Sequence, residues 1–157
     1  MVKLHEDPER TTSLGTARYA YEFLEAALAV DDVVGHKDGY EIIAPIPVLY
    51  LVGHSIELSL KAFLLHKGVS LTELKRGYGH DLHSCMRKAK ELQLNGIVEF
   101  NQQELGAFEI LDKLYSSKQL EYIVTGAKQF PVFGPLQTFA VKLFNAIAPI
   151  VGFNKHF

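Results

Sequence analysis

Near the start of the chain, apolar residues recur at alternating steps of three and four: Leu14, Ala17, Tyr21, Leu24 and Leu28. That period lines one face of a helix and predicts a helix from about Ser13 to Asp32, with this stripe toward the core. The pattern breaks at Gly35. The stretch from there to Ala44, with Pro45 and Pro47 behind it, reads as a loop of about ten residues, longer than most bundle connections.

A second helix is expected to start near Pro47, where proline suits a first turn, and to end at Gly68. It is the most apolar helix of the chain, with Leu49, Val52, Ile56, Leu60, Phe63 and Leu64 spread around it. Ser70-Leu71-Thr72-Glu73 has the spacing of a capping box and opens a short helix that stops at Gly77 and Gly79. Asp81 to Leu94 reads as another helix, with Leu82, Met86, Ala89 and Leu92 on one side. The run from Asn101 to Glu104 repeats the cap-and-carboxylate spacing. It starts a helix that turns Leu105, Phe108, Leu111 and Tyr115 inward and frays near Ser116.

A short piece from Leu120 to Val124 follows, and Gly134-Pro135 opens the last helix with Leu136, Phe139, Leu143, Phe144 and Ile147. Tyr40 to Ile43 is a weak strand-like run, with no hairpin signal, βαβ rhythm or internal repeat around it. The expected fold is all-α: a single domain over residues 1–157, built as an antiparallel up-and-down bundle of four long helices plus one or two short ones. Residues 1–11 are expected to be a loosely ordered N-terminal segment.

Composition narrows the function. A chain of 157 residues can bury one sizeable core, and 48% hydrophobic with 22% charged residues marks a folded protein. The net charge of −2 argues against broad, sequence-independent nucleic-acid binding but leaves room for a local basic pocket. Cys85 is the only cysteine, so an intramolecular disulfide and a thiolate zinc knuckle are both excluded, and it reads as a small buried apolar residue. Residues 1–10 lack an apolar signal core. No uncharged apolar run reaches about 20 residues, the stretch 136–153 coming closest before Lys142 and Asn145 interrupt it. The expected location is therefore the cytoplasm, without a membrane. No G-x-x-x-x-G-K-[ST] loop occurs and no cofactor is expected.

The polar residues of the second helix stand out against its apolar background. At 100° per residue, His54, Glu57 and Lys61 fall within about 60° of one another, and Ser55, Ser59 and His66 form a second strip. Glu57 and Lys61 could face water as an i, i+4 pair worth about 0.2–0.5 kcal/mol. The alternative sets Glu57 at an inter-helix junction, accepting hydrogen bonds from loop amides or a histidine, with Lys61 offsetting its charge.

A second cluster, Lys75 to His83, uses two glycines to bring basic, aromatic and imidazole groups beside a helix start that favours anions. There Asp81 is the natural cap, with His80 against the second helix. His54-x-x-Glu57 and His80-x-x-His83 each put possible metal ligands on a helix face. The Glu and Glu-x-x-His set of a carboxylate-bridged bundle is absent, and no metal is expected.

Residues 53–94 resemble the HEPN family, the higher-eukaryote and prokaryote nucleotide-binding domains. The resemblance rests on Gly53-His54-Ser55-Ile56-Glu57-Leu58-Ser59-Leu60-Lys61-Ala62-Phe63-Leu64 and, after a gap, Gly79-His80-Asp81-Leu82 with its amphipathic helix. Tyr115 to Tyr122 is similar to the family's late helix segment. The resemblance implies a four- or five-helix bundle, commonly a homodimer, with associations to nucleotide binding, toxin–antitoxin pairs or RNA cleavage.

On this basis the leading expectation is a non-catalytic binding module for a small anionic ligand such as a nucleotide, or for a partner protein. His54, Glu57, Lys61, His80 and Asp81 would organise the junction of the second helix with the Gly-His-Asp-Leu turn, and Arg76 and Tyr122 would stand at its rim. The alternative is a metal-independent ribonuclease in which Arg76 stabilises phosphate charge and His83 shuttles a proton. Ribonuclease members space an Arg and a His this way in a late helix. Here the pair falls in mid-chain, Gly77 follows the Arg where the family has a polar residue, and residues 115–122 hold neither Arg nor His. A third expectation is a structural homodimer, suggested by the Phe-rich last helix and the tail from Phe153 to Phe157.

Overall fold

The computed structural model describes residues 1 and 3–157, and among these it contains helices and turns and no strand. The helices are α1 (Ser13–Val34), α2 (Ile46–His66), α3 (Leu71–Glu73), α4 (Leu82–Glu91), α5 (Gln102–Ser116) and α6 (Phe133–Ile147). A π-helical turn, Leu74–Tyr78, continues α3, and 3₁₀ turns lie at Leu4–Glu6 and Leu94–Gly96.

Helix α2 is the centre of the molecule, packed against α1, α4, α5 and α6. Its apolar residues explain this: Val48, Leu49, Val52, Ile56, Leu60, Phe63 and Leu64 are buried, not spread around the helix but on one broad arc of about 160°. By length and composition α2 could cross a membrane, more readily than residues 136–153, but most of that stretch is packed inside the protein.

The most extensive contact in the fold is between α1 and α2. On α1 the buried line is Ala17, Ala20, Leu24 and Ala27, whereas Leu14 is exposed and Tyr21 and Leu28 are half-buried. The core face is therefore rotated away from the line of large side chains that marks it in the sequence. Small residues let the two backbones approach, close enough for the Ser55 hydroxyl to donate to the Ala20 carbonyl at 2.9 Å. The helix continues two residues past Asp32, to Val34.

Helix ends follow local chemistry. Both capping boxes form, Ser70 with Glu73 and Asn101 with Glu104. Asp81 caps α4 by accepting the Ser84 amide at 2.8 Å. That helix stops at Glu91 rather than Leu94, because Gln93 takes a left-handed φ of 75° and the chain tightens into the 3₁₀ turn. The short piece from Leu120 to Val124 begins as a turn and continues as irregular chain, with Leu120 buried. The strand-like run near Tyr40 is irregular, and the Ile42 carbonyl accepts the Phe133 amide at 3.0 Å, tying that loop to the start of α6.

The phenylalanines of α6 face inward. Phe139 is fully buried between Phe100 and Phe108, with ring centroids 4.2 and 4.7 Å away. The tail folds back, Phe153 and Phe157 packing on Tyr21 of α1. Asn145 then holds the Phe157 backbone through two hydrogen bonds of 2.9 Å.

Candidate functional site

The chemistry of the fold concentrates where α2 meets the turn before α4 and the C-terminal half of α5. Glu57 is the focus, with only 2% of its surface exposed. A carboxylate at such a depth is costly unless it is hydrogen-bonded and its charge is offset. Both conditions hold. His80 Nδ1 lies 2.6 Å from Glu57 Oε1, the Tyr115 hydroxyl approaches the same oxygen at 3.4 Å, and Lys61 Nζ stands 3.5 Å from Oε2. His54, one turn earlier on α2, places its Nδ1 3.0 Å from the Tyr115 hydroxyl and 3.8 Å from Glu57 Oε2.

Each partner is brought in by a local feature. His80 follows the π-helical turn and the bend at Gly79, which has φ 50° and donates its amide to the Leu74 carbonyl at 3.1 Å. The turn is then fastened from two sides. From α2, Lys61 Nζ donates to the Gly79 carbonyl at 2.7 Å. From α5, Asp112 Oδ1 accepts the Leu82 amide at 2.9 Å, and the Ser116 hydroxyl lies 2.6 Å from that oxygen and 3.1 Å from the His80 carbonyl. Tyr115 reaches Glu57 because its ring lies on α2 at Gly53.

Burial sets the protonation of the inner groups. The His54 imidazole is pushed below its usual range by burial, aided by nearby His80 and Lys61 and only partly opposed by the Glu57 carboxylate. Burial also raises the Tyr115 phenol, and the Glu57 carboxylate raises it further. Both groups are neutral near pH 7, so His54 Nδ1–H can donate to the phenol oxygen while the phenol O–H turns to Glu57. This arrangement gives each proton in the chain an acceptor. Tyr50, half-buried beside Tyr115, is raised as well, by burial and then by Glu121.

The structure thus gathers His54, Glu57, Lys61 and His80 into one cluster. Asp81 turns away from it to cap α4. Its carboxylate accepts the amide and hydroxyl of Ser84, and although burial alone would raise it, these bonds hold it below the usual carboxylate range. Tyr122 is 65% exposed and makes no side-chain hydrogen bond among the described residues. Arg76 and His83 do not meet within the chain. Arg76 lines a groove with Lys67, Tyr78 and Lys88, while His83 pairs with Glu109 at 3.0 Å and lines another groove with Arg87 and Phe108. Among the described residues, no group of three or more His, Cys, Asp or Glu side chains is placed to hold a metal ion.

Four contributors lie outside the site residues expected from the sequence. Tyr115 reads there as an inward apolar position, and nothing in the period of α5 signals that its hydroxyl finds a buried carboxylate. Asp112 and Ser116 sit four apart on α5, a spacing consistent with a shared polar strip. Gly53, an isolated glycine in a helix otherwise rich in large apolar residues, carries the clearest signal, since such a glycine often marks a close approach. Compared with protein-family models, curated proteins and solved structures, the chain matches none.

Proposed function

We propose that the protein is a HEPN-like antiparallel helical bundle that acts as a non-catalytic binding module, taking a small anionic ligand of the nucleotide class at the junction of α2 with the 79–82 turn. One observation carries the reading. The buried Glu57 holds Nδ1 of a half-exposed imidazole, His80, leaving Nε2 without a hydrogen-bond partner in the protein among the described residues. A carboxylate that fixes one ring nitrogen orients the other, and on protonation Nε2–H becomes a directed donor to an anion. Lys61 beneath it offsets the carboxylate charge that would otherwise repel such a ligand.

Titration of the full chain with adenosine and guanosine mono- and triphosphates, followed through the imidazole proton resonances, tests this. Saturable shifts of the His80 resonance are expected in the wild type, and the accompanying shifts of neighbouring histidines should be lost in His80→Ala, measured below the melting temperature of that variant, which falls because Glu57 loses its nearest donor. Nucleotide binding unaffected by His80→Ala, or no binding to the wild type, would sink the assignment.

A further inference from the structure

Beyond the junction, on the other side of the turn, lies a groove of about 590 Å³ bounded by the end of α2, the π-helical turn and α4. Three cations from these three elements converge on it: Lys67, Arg76 and Lys88. Their local partners offset them only in part. Arg76 makes no ion pair among the described residues, although its neighbour Lys75 pairs with Glu6. Lys67 sits over the Phe63 ring, and Lys88 reaches only the exposed Glu91 on its own helix, at 3.3 Å. The one carboxylate in the lining, Glu73, is held by the capping box, accepting the Ser70 amide at 2.9 Å. Among the described residues the lining thus sets three cations against one carboxylate, a local excess of positive charge on a chain whose net charge is −2.

We propose that this groove is a second binding site, independent of the junction, for a compact ligand carrying two or more phosphoryl groups. A planar guanidinium can grip one phosphoryl group through paired N–H donors, and the two flanking ammonium groups act as point charges for the next. The three cations stand on three different elements, so a ligand with more than one phosphoryl group can engage more of them than a single phosphate can. The volume falls within the range of small-molecule sites, and Val69, Tyr78 and Leu92 supply an apolar wall for whatever the phosphates are attached to.

The test uses inorganic triphosphate, which isolates the charged part of the ligand. Calorimetric titration of the full chain at low salt compares the wild type with Arg76→Ala, Lys88→Ala and Lys113→Ala. The last removes one positive charge from the exposed side of α5, outside the groove. One saturable site is expected, weakened about tenfold by either groove substitution, unchanged by Lys113→Ala and weakened by added salt. All four proteins should melt alike, because the residues replaced are at the surface. The site is overturned if wild type binds no triphosphate at millimolar concentration, or if Lys113→Ala loses as much affinity as Arg76→Ala.

Discussion

The ring of Tyr115 rests on the bare backbone of Gly53: a Cβ on residue 53 would stand 2.6 Å from Tyr115 Cδ2. Replacing a helical glycine by alanine ordinarily stabilises, by up to about 1 kcal/mol. At this position the added methyl must displace a buried ring. Gly53→Ala is expected to lose about 1–3 kcal/mol through overpacking. Gly106, on α5, has nothing within 4 Å of its notional Cβ, so Gly106→Ala should gain about 0.5–1 kcal/mol. Urea unfolding of the two variants should give midpoints that move in opposite directions. Midpoints moving the same way would mean that the contact does not constrain the helices.

Glu57 separates two further variants. Glu57→Ala leaves His80, Tyr115 and Lys61 facing an empty site, and a loss of about 2–3 kcal/mol is expected, moderated by the partial exposure of His80 and Lys61. Glu57→Gln retains the volume and one acceptor oxygen and should lose less. An alanine variant as stable as the wild type would show that the carboxylate holds nothing together.

The depressed His54 imidazole has a defined consequence for acid stability. In the unfolded chain this group titrates near 6.5, while in the fold it resists protonation because it is buried. Between those two values the unfolded state binds the extra proton, so stability falls as pH drops. The contribution is complete above pH 6.5 and is lost as pH falls through the lower, folded-state value. His54→Gln should flatten this part of the stability profile measured by denaturant titration from pH 8 to 5. An unchanged slope would remove His54 as its source.

Cys85 is fully buried, and burial pushes its thiol up to about 12. The thiolate needed for disulfide exchange is thus scarce and shielded. An aromatic disulfide reagent is expected to label the native chain only as fast as it opens, and rapidly in denaturant. Fast labelling of the folded protein would contradict this burial.

Much of the helical order was legible because helix ends are written in short-range chemistry. The boxes at Ser70–Glu73 and Asn101–Glu104 form as their spacing predicts, and Asp81 caps α4. The face of α1 was harder to read, because hydrophobic periodicity weights large side chains, whereas the tightest packing on α2 uses Ala17, Ala20 and Ala27. Within the site, His54, Glu57 and Lys61 share a helix face by spacing alone. His80 joins them only through the bend at Gly79, and Tyr115 only through the packing of α5 on Gly53. Local patterns do not encode such meetings.

The hydrogen bonds around Glu57 join residues 23 and 58 positions apart, and the one between His54 and Tyr115 spans 61. None can form inside a single helix or between nearest neighbours in the chain, so the network closes only after α2, the 79–82 turn and α5 have found one another. It also admits one register. Rotating α5 by a single residue would swing the Tyr115 hydroxyl about 100° from the carboxylate and strand it in an apolar setting. The cluster thus works as a lock on helix alignment: greasy surfaces can slide past one another, whereas a buried carboxylate with assigned donors tolerates one seating.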